Sequence, residues 1–328
     1  MAASASGRLG EIDRIGLYRI EDELSADTTG ISYRVVHQVL PRHAVLKVMH
    51  APSLDQPAIK QPLAIHVLRE ACILEALQHP GVARLYESGM LPDRRPWFAR
   101  ELVDGAKVTS VLPSGSIDRI DAIAMLRDIA AVLDHAARRG VIHCGLRPDR
   151  IVLTGRARGF PVCIPDWADA RAHDAANSPC IPNAASWSYT SPELVCGDPI
   201  DDRTDVYALG VIAYQILTGT LPYSGHAIAT ASDGSTQHVP TEVHCPEVPP
   251  ELTRLVDQML ARDRWDRPSI AEVLFELTWL VAAIRSPIAR KADVLRIRKP
   301  RWTPSVSFTP IDDALAQAID DANRDTKR

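Results

Sequence analysis

Residues 186–225 read SWSYTSPELVCGDPIDDRTDVYALGVIAYQILTGTLPYSG. From Asp205 to Gly219 the stretch is apolar nearly all round, the mark of a helix buried in the middle of a domain. Working outward, PPELTRLVDQMLARD (249–263) and PSIAEVLFELTWLVAAIRS (268–286) are amphipathic helices, each opened by a proline or serine. Upstream, SIDRIDAIAMLRDIAAVLDHAARRG (116–140) carries apolar residues at helical spacing, with Ser116 as N-cap and Gly140 at the C′ position. The rear of the chain is therefore helical, wrapped around one buried helix.

The front has a different period. YRIEDEL, ISYRVVHQVL and HAVLKVMH are β-rich and separated by turn residues such as Asp27, Gly30 and Pro41, which predicts an antiparallel meander. LAIHVLREACILEAL (63–77) spaces its apolar residues by three and four, a helix. VARLYESGML and RPWFARELV add two strands, so the expected front lobe is a five-stranded antiparallel sheet with one helix. The expected class is α+β with two lobes: a flexible N-terminus over 1–14, a strand-rich lobe over 15–102, a helical lobe over 103–284 and an extension over 285–328.

The apolar share of 46% and charged share of 24% are those of an ordinary globular protein. A net charge of −4 gives no reason to expect nucleic acid or an anionic membrane as partner. Cys72, Cys144, Cys163, Cys180, Cys196 and Cys245 are scattered without metal-ligand spacing and read as reduced thiols of a cytosolic protein. MAASASGRLGEIDR has no apolar core for a signal peptide, and TWLVAAI is too short to span a bilayer, so a cytoplasmic protein is expected. Residues 285–301 hold seven Arg or Lys and one acid, and IDDALAQAIDDAN then places Ile311, Leu315 and Ile319 on one stripe. That tail reads as a solvated extension whose helix packs back on the rear lobe, or as a segment that docks a protein partner.

The ordered set of short motifs resembles the bacterial, eukaryotic-like Ser/Thr protein kinase domain, from residue 15 to about 284. AVLK resembles the third-strand Ala-x-Lys motif, which makes Lys47 the lysine of the ATP phosphates, and Glu70 in VLREA falls where its helix partner belongs. The plainer reading is a surface Lys and a surface Glu, but Lys47 lies inside an apolar strand. PDWADA resembles Asp-Phe-Gly, with Asp166 as a magnesium ligand, because that hard cation needs oxygen. SPE resembles Ala-Pro-Glu, Asp205 stands for the aspartate capping the buried helix, and Arg267 in WDRPS for the arginine paired with Glu193. A buried carboxylate and guanidinium persist only when paired. The resemblance further implies Glu101 and Val103 as the hinge of the adenine pocket, and ATP with or without Mg2+ as the cofactor.

The match fails where chemistry is done. In VIHCGLRPDRIVL (141–153) the packing positions His143, Leu146 and Pro148 match, but Cys144 replaces an arginine, Gly145 the catalytic aspartate, Arg147 a lysine and Arg150 a metal-binding asparagine. A positioned general base is worth about 10² to 10⁴ in rate, and Gly145 has no side chain to act as one. Asp149 is the nearest substitute. Arg150 has no lone pair for a metal, and could neutralise phosphate instead. In ELSADTTGISY, Ser25 and Asp27 replace glycines that let backbone amides approach phosphate, and only Gly30 remains. Arg100 stands where a neutral gatekeeper is usual, and is expected to find an acid such as Glu70 or to fold outward. Ser178, Ser186 and Ser188 lie in the activation segment, with no arginine at Cys144 to receive a phosphate.

The reading that follows is a pseudokinase: phosphotransfer absent or strongly impaired, with the protein acting as scaffold or allosteric partner of a signalling protein or active kinase. Two alternatives stay open, a divergent active Ser/Thr kinase and an ATP-binding sensor without phosphotransfer.

Overall fold

The computed structural model describes residues 13–27, 29–50, 60–112, 118–155, 158–172, 187–223 and 238–285. The tail helix expected at 311–323, the serines Ser178 and Ser186, and Ser116 fall outside them.

The front lobe is one antiparallel sheet of β1 (Arg14–Ile15), β2 (Tyr18–Ala26), β3 (Gly30–His37), β4 (His43–Met49), β5 (Leu85–Met90) and β6 (Pro96–Glu101). Its spatial order is β1-β2-β3-β4-β6-β5, six strands where the sequence predicts five. The extra strand is two residues long: Ile15 pairs with Tyr18 across a turn in which Gly16 takes φ +55°, a conformation glycine adopts without steric cost. Its reason is packing, since Ile15 joins Tyr18, Val35, Leu46 and Trp97 in a core on the outer face of the sheet.

Strand alternation decides where Lys47 points. In β4, Ala44, Leu46 and Val48 fill that outer core, so the intervening residues face the other way, toward the helix α1 (Lys60–Leu77). Along α1, Val67, Glu70, Ala71, Leu74 and Leu77 are all buried, a three-and-four stripe in which Glu70 is the polar member. Two periodicities thus bring one lysine and one glutamate to the same interior face.

The rear lobe contains α2 (Arg119–Ala137), α3 (Asp202–Thr218), α4 (Pro250–Met259) and α5 (Ile270–Arg285), with short strands that carry its loops: β7 (Ala106–Lys107), β8 (Val141–Ile142), β9 (Val152–Leu153), β10 (Val162–Cys163) and β11 (Arg171–Ala172). β9 pairs with β7 and β10, and β8 pairs with β11. In α3 every residue from Thr204 to Tyr214 is buried, as the apolar run predicts. The N-cap of α2 is Asp118, whose side chain accepts from Ile120 N; Gly140 closes the turn beyond the helix at φ +70°, two residues past the C-cap Arg138 and not at the C′ position. Ser269 and Glu272 form a reciprocal capping box at the start of α5, with Ser269 N donating to Glu272 Oε2 at 2.9 Å and Glu272 N donating to Ser269 Oγ at 3.3 Å. Among the described residues no helix is long and apolar enough to cross a membrane, and Cys72, Cys163 and Cys196 are free thiols.

Candidate functional site

Lys47 is buried at 4% exposure, and its Nζ lies 2.9 Å from Glu70 Oε2 and 2.8 Å from Asp27 Oδ2. The first contact is the expected pair. The second is new: Asp27, at the end of β2, reaches back over the sheet. Burial opposes the ammonium charge, but Glu70, Asp27 and Asp166 together outweigh it and hold the Lys47 pKa above its ordinary value. Gly30 begins β3 against β4, where a Cβ would run into the Val48 carbonyl. Here glycine serves a close strand approach.

Below the sheet, the loop after β8 is held by one carboxylate. Asp205, in the first turn of α3, accepts from His143 N at 2.7 Å and from Cys144 N at 2.9 Å. It does not cap the helix; the N-cap is Asp201, which accepts from Arg203 N. Those two bonds fix Cys144 at φ +59°, a left-handed conformation that costs a non-glycine residue energy unless its surroundings enforce it. Burial pushes the Asp205 carboxyl up to about 7 despite both N–H groups. His143 is fully buried against Trp167, with ring centroids 4.7 Å apart. Its Nδ1 accepts from Gly145 N at 3.2 Å, so the proton sits on Nε2, 2.9 Å from the Asp166 carbonyl. His143 thereby ties the loop to the segment that carries Asp166.

Arg150 fills the space between these parts. Its Nε lies 3.3 Å from Asp166 Oδ2, an ion pair not aligned as a hydrogen bond. Its terminal nitrogen donates to the Gly145 carbonyl at 3.2 Å and closely to Asp169 Oδ2. A Cβ built on Gly145 would overlap both the Asp169 carboxylate and the Arg150 guanidinium. The room an aspartate needs at position 145 is already taken. Burial pushes the Asp166 carboxyl up, but Arg150, Lys47 and Arg100 hold it well below the usual carboxylate range. A divalent cation does not fit this donor set, because a guanidinium already engages both carboxylates and offers no lone pair. Among the described residues no cluster of three His, Cys, Asp or Glu is placed to hold a metal ion.

Asp149, the substitute base suggested by sequence, pairs with Arg147 at 2.8 Å, and its side chain is 44% exposed. Arg100 is half-buried and makes no ion pair with Glu70; its Nε is buried without a hydrogen-bond partner among the described residues, while its charge acts on Glu70 and Asp166. At the lobe junction Val103 is half-buried, and the Glu101 carboxylate accepts from Arg84 N at 3.2 Å and pairs closely with Arg158. Arg158 also donates to the Pro80 carbonyl at 2.7 Å and the Val82 carbonyl at 2.8 Å. Sequence reasoning singled out neither Asp169 nor Arg158. Asp169 follows Asp166 by three residues in a tight turn, the one signal that could have raised it.

Away from the cleft, Glu193 and Arg267 pair as a fork, at 2.8 and 3.0 Å. The remaining Arg267 N–H groups donate to the carbonyls of Ala261, Arg203 and Arg262, so all five donors are used.

A strand-rich lobe with a buried Lys–Glu pair, set over a helical lobe whose loop is held by Asp205, defines a protein-kinase fold. Residues 18–280 match the protein kinase domain, and the chain belongs to that family. Among similar proteins, serine/threonine-protein kinase PknJ of Mycobacterium tuberculosis is 31% identical over 232 residues, 68% of this chain and 38% of that protein. Serine/threonine-protein kinase pkn2 of Myxococcus xanthus is 29% identical over 282 residues, 84% of this chain and 33% of that one. For serine/threonine-protein kinase PknB of Mycolicibacterium smegmatis the identity is 31% over 238 residues, 68% of this chain and 36% of that protein. The chain spans about a third to two fifths of the length of these relatives.

Proposed function

We propose that this chain is a kinase-fold regulator whose phosphotransfer is absent or strongly impaired, and which works as a scaffold or allosteric partner of another signalling protein. One observation carries the reading: the Arg150 guanidinium lies between Asp166 and Asp169 while Gly145 offers no carboxylate. The family uses ATP and Mg2+, with metal bridging the phosphates and an aspartate orienting the acceptor hydroxyl. Here a fixed cation stands where the metal ligands converge. Lys47, Glu70, Gly30, Glu101, Val103 and Asp166 remain as candidates to line a nucleotide cleft, and residues 285–328 as a docking segment. We place the protein in the cytoplasm of a bacterium.

A second reading is a divergent, active Ser/Thr kinase. It is favoured by the 2.9 Å Lys47–Glu70 pair and by the similar proteins reported above, all serine/threonine-protein kinases. Asp169 then supplies the carboxylate beside position 145. Transfer of labelled γ-phosphate from ATP to protein hydroxyls, with Lys47→Ala as control, separates the two. Incorporation no higher than in the control is expected; incorporation that the substitution abolishes would establish the active kinase.

A further inference from the structure

The turn between β2 and β3 is closed by its own acid. Asp27 Oδ1 accepts from Thr29 N at 2.7 Å, Gly30 N at 2.9 Å and Thr29 Oγ1 at 2.6 Å, while Oδ2 lies 2.8 Å from Lys47 Nζ. Two convergent backbone N–H groups, a hydroxyl and an ammonium form an anion seat. In this molecule the anion is a side chain. We propose that Asp27 is a specificity-determining gate: its carboxylate occupies the seat that a nucleoside polyphosphate needs, and such a ligand binds only by displacing it.

The two acids on Lys47 are not equivalent. Glu70 has a side-chain exposure of 2% and is fixed on α1, whereas the Asp27 side chain is 45% exposed on a turn. Only Asp27 can leave without unpacking the core. Charge points the same way. Among the described residues, Asp27 adds a carboxylate to those of Glu70, Asp166 and Asp169, which already act on Lys47 and Arg150 in this cleft. With Asp27 in place an entering polyphosphate meets one more negative charge beside Lys47 than it does with Asp27 removed. Burial pushes the Asp27 carboxyl up, but Lys47 and the Thr29 hydrogen bonds hold it below the ordinary range, so the seat stays filled at neutral pH. Because Arg150 is a resident cation, entry through this gate needs no divalent ion.

The inference rests on the reading above for its class of ligand, and the two fail separately. Full-length wild type, Asp27→Ala, Asp27→Asn and Asp27→Ala/Lys47→Ala would be titrated calorimetrically with pyrophosphate, ATP in EDTA and ATP in MgCl2. Asp27→Ala should bind pyrophosphate and metal-free ATP at least tenfold more tightly than wild type. Asp27→Asn, which keeps the turn's hydrogen bonds but loses the charge, should fall between them, and the double variant should return to the wild-type level. Equal affinity in wild type and both single variants overturns the gate, as does absence of binding in every variant. Labelled phosphate transfer by wild type would sink the non-transferring reading and leave the gate standing.

Discussion

Two ion-pair clusters, one under α3 and one in the cleft, use the same side chains in opposite ways. Around Arg267 every guanidinium N–H has an acceptor, Glu193 is engaged through both oxygens, and Thr204 Oγ1 donates to it at 2.9 Å. Around Arg150 one nitrogen is misaligned and two carboxylates compete, with Asp166 at 31% and Asp169 at 41% side-chain exposure. A saturated buried pair is a joint that holds elements together. An unsaturated, partly wet one can rearrange, which is what a binding cleft requires.

The largest effect should come from breaking the saturated joint. Glu193→Ala leaves a buried, uncompensated guanidinium and should cost about 3–5 kcal/mol, read as a lower midpoint in urea denaturation. Next is the pH response of the loop that joins the clusters. Burial, helped by Arg150, lowers the His143 pKa from 6.5 to about 4. The unfolded chain then binds a proton that the folded one refuses between those values, so stability is lost as pH falls through that window, by no more than about 3 kcal/mol. His143→Gln, which can donate and accept at the same two sites, should remove this contribution, so that the thermal midpoint falls less between pH 6.5 and 4 than in wild type. A smaller effect tests how full the cleft is. Gly145→Asp must displace the Arg150–Asp169 pair and should destabilise by about 1–3 kcal/mol; a neutral substitution would show that the space is open. Smallest is Asp149→Ala, since the Asp149 carboxylate is 44% exposed, beside an Arg147 side chain at 12%. A change of about 0–1 kcal/mol in the same melt is expected.

Much of this contrast is legible in the chain. The run from Val206 to Tyr214 announces a buried helix because no polar residue interrupts it, and alternation in AVLK sets Lys47 opposite the outer core. Glu193 and Arg267 are recognisable through the motif resemblance. What sequence does not carry is reach. Asp205 reads as a cap because it stands near a helix start, yet its carboxylate spans to the backbone of His143 and Cys144, 62 and 61 residues away. Asp27 reads as a misplaced glycine, and its contact with Lys47 depends on how β2, β3 and β4 register. Asp169 and Arg150 meet only when two loops fold over Gly145. β1 leaves no signal in the sequence because two residues have no period.

Arg158 has a mechanical consequence. From the rear lobe it grips Pro80, Val82 and Glu101 of the front lobe at three points. One side chain thus works as a rivet between the lobes, and its loss would release all three points together.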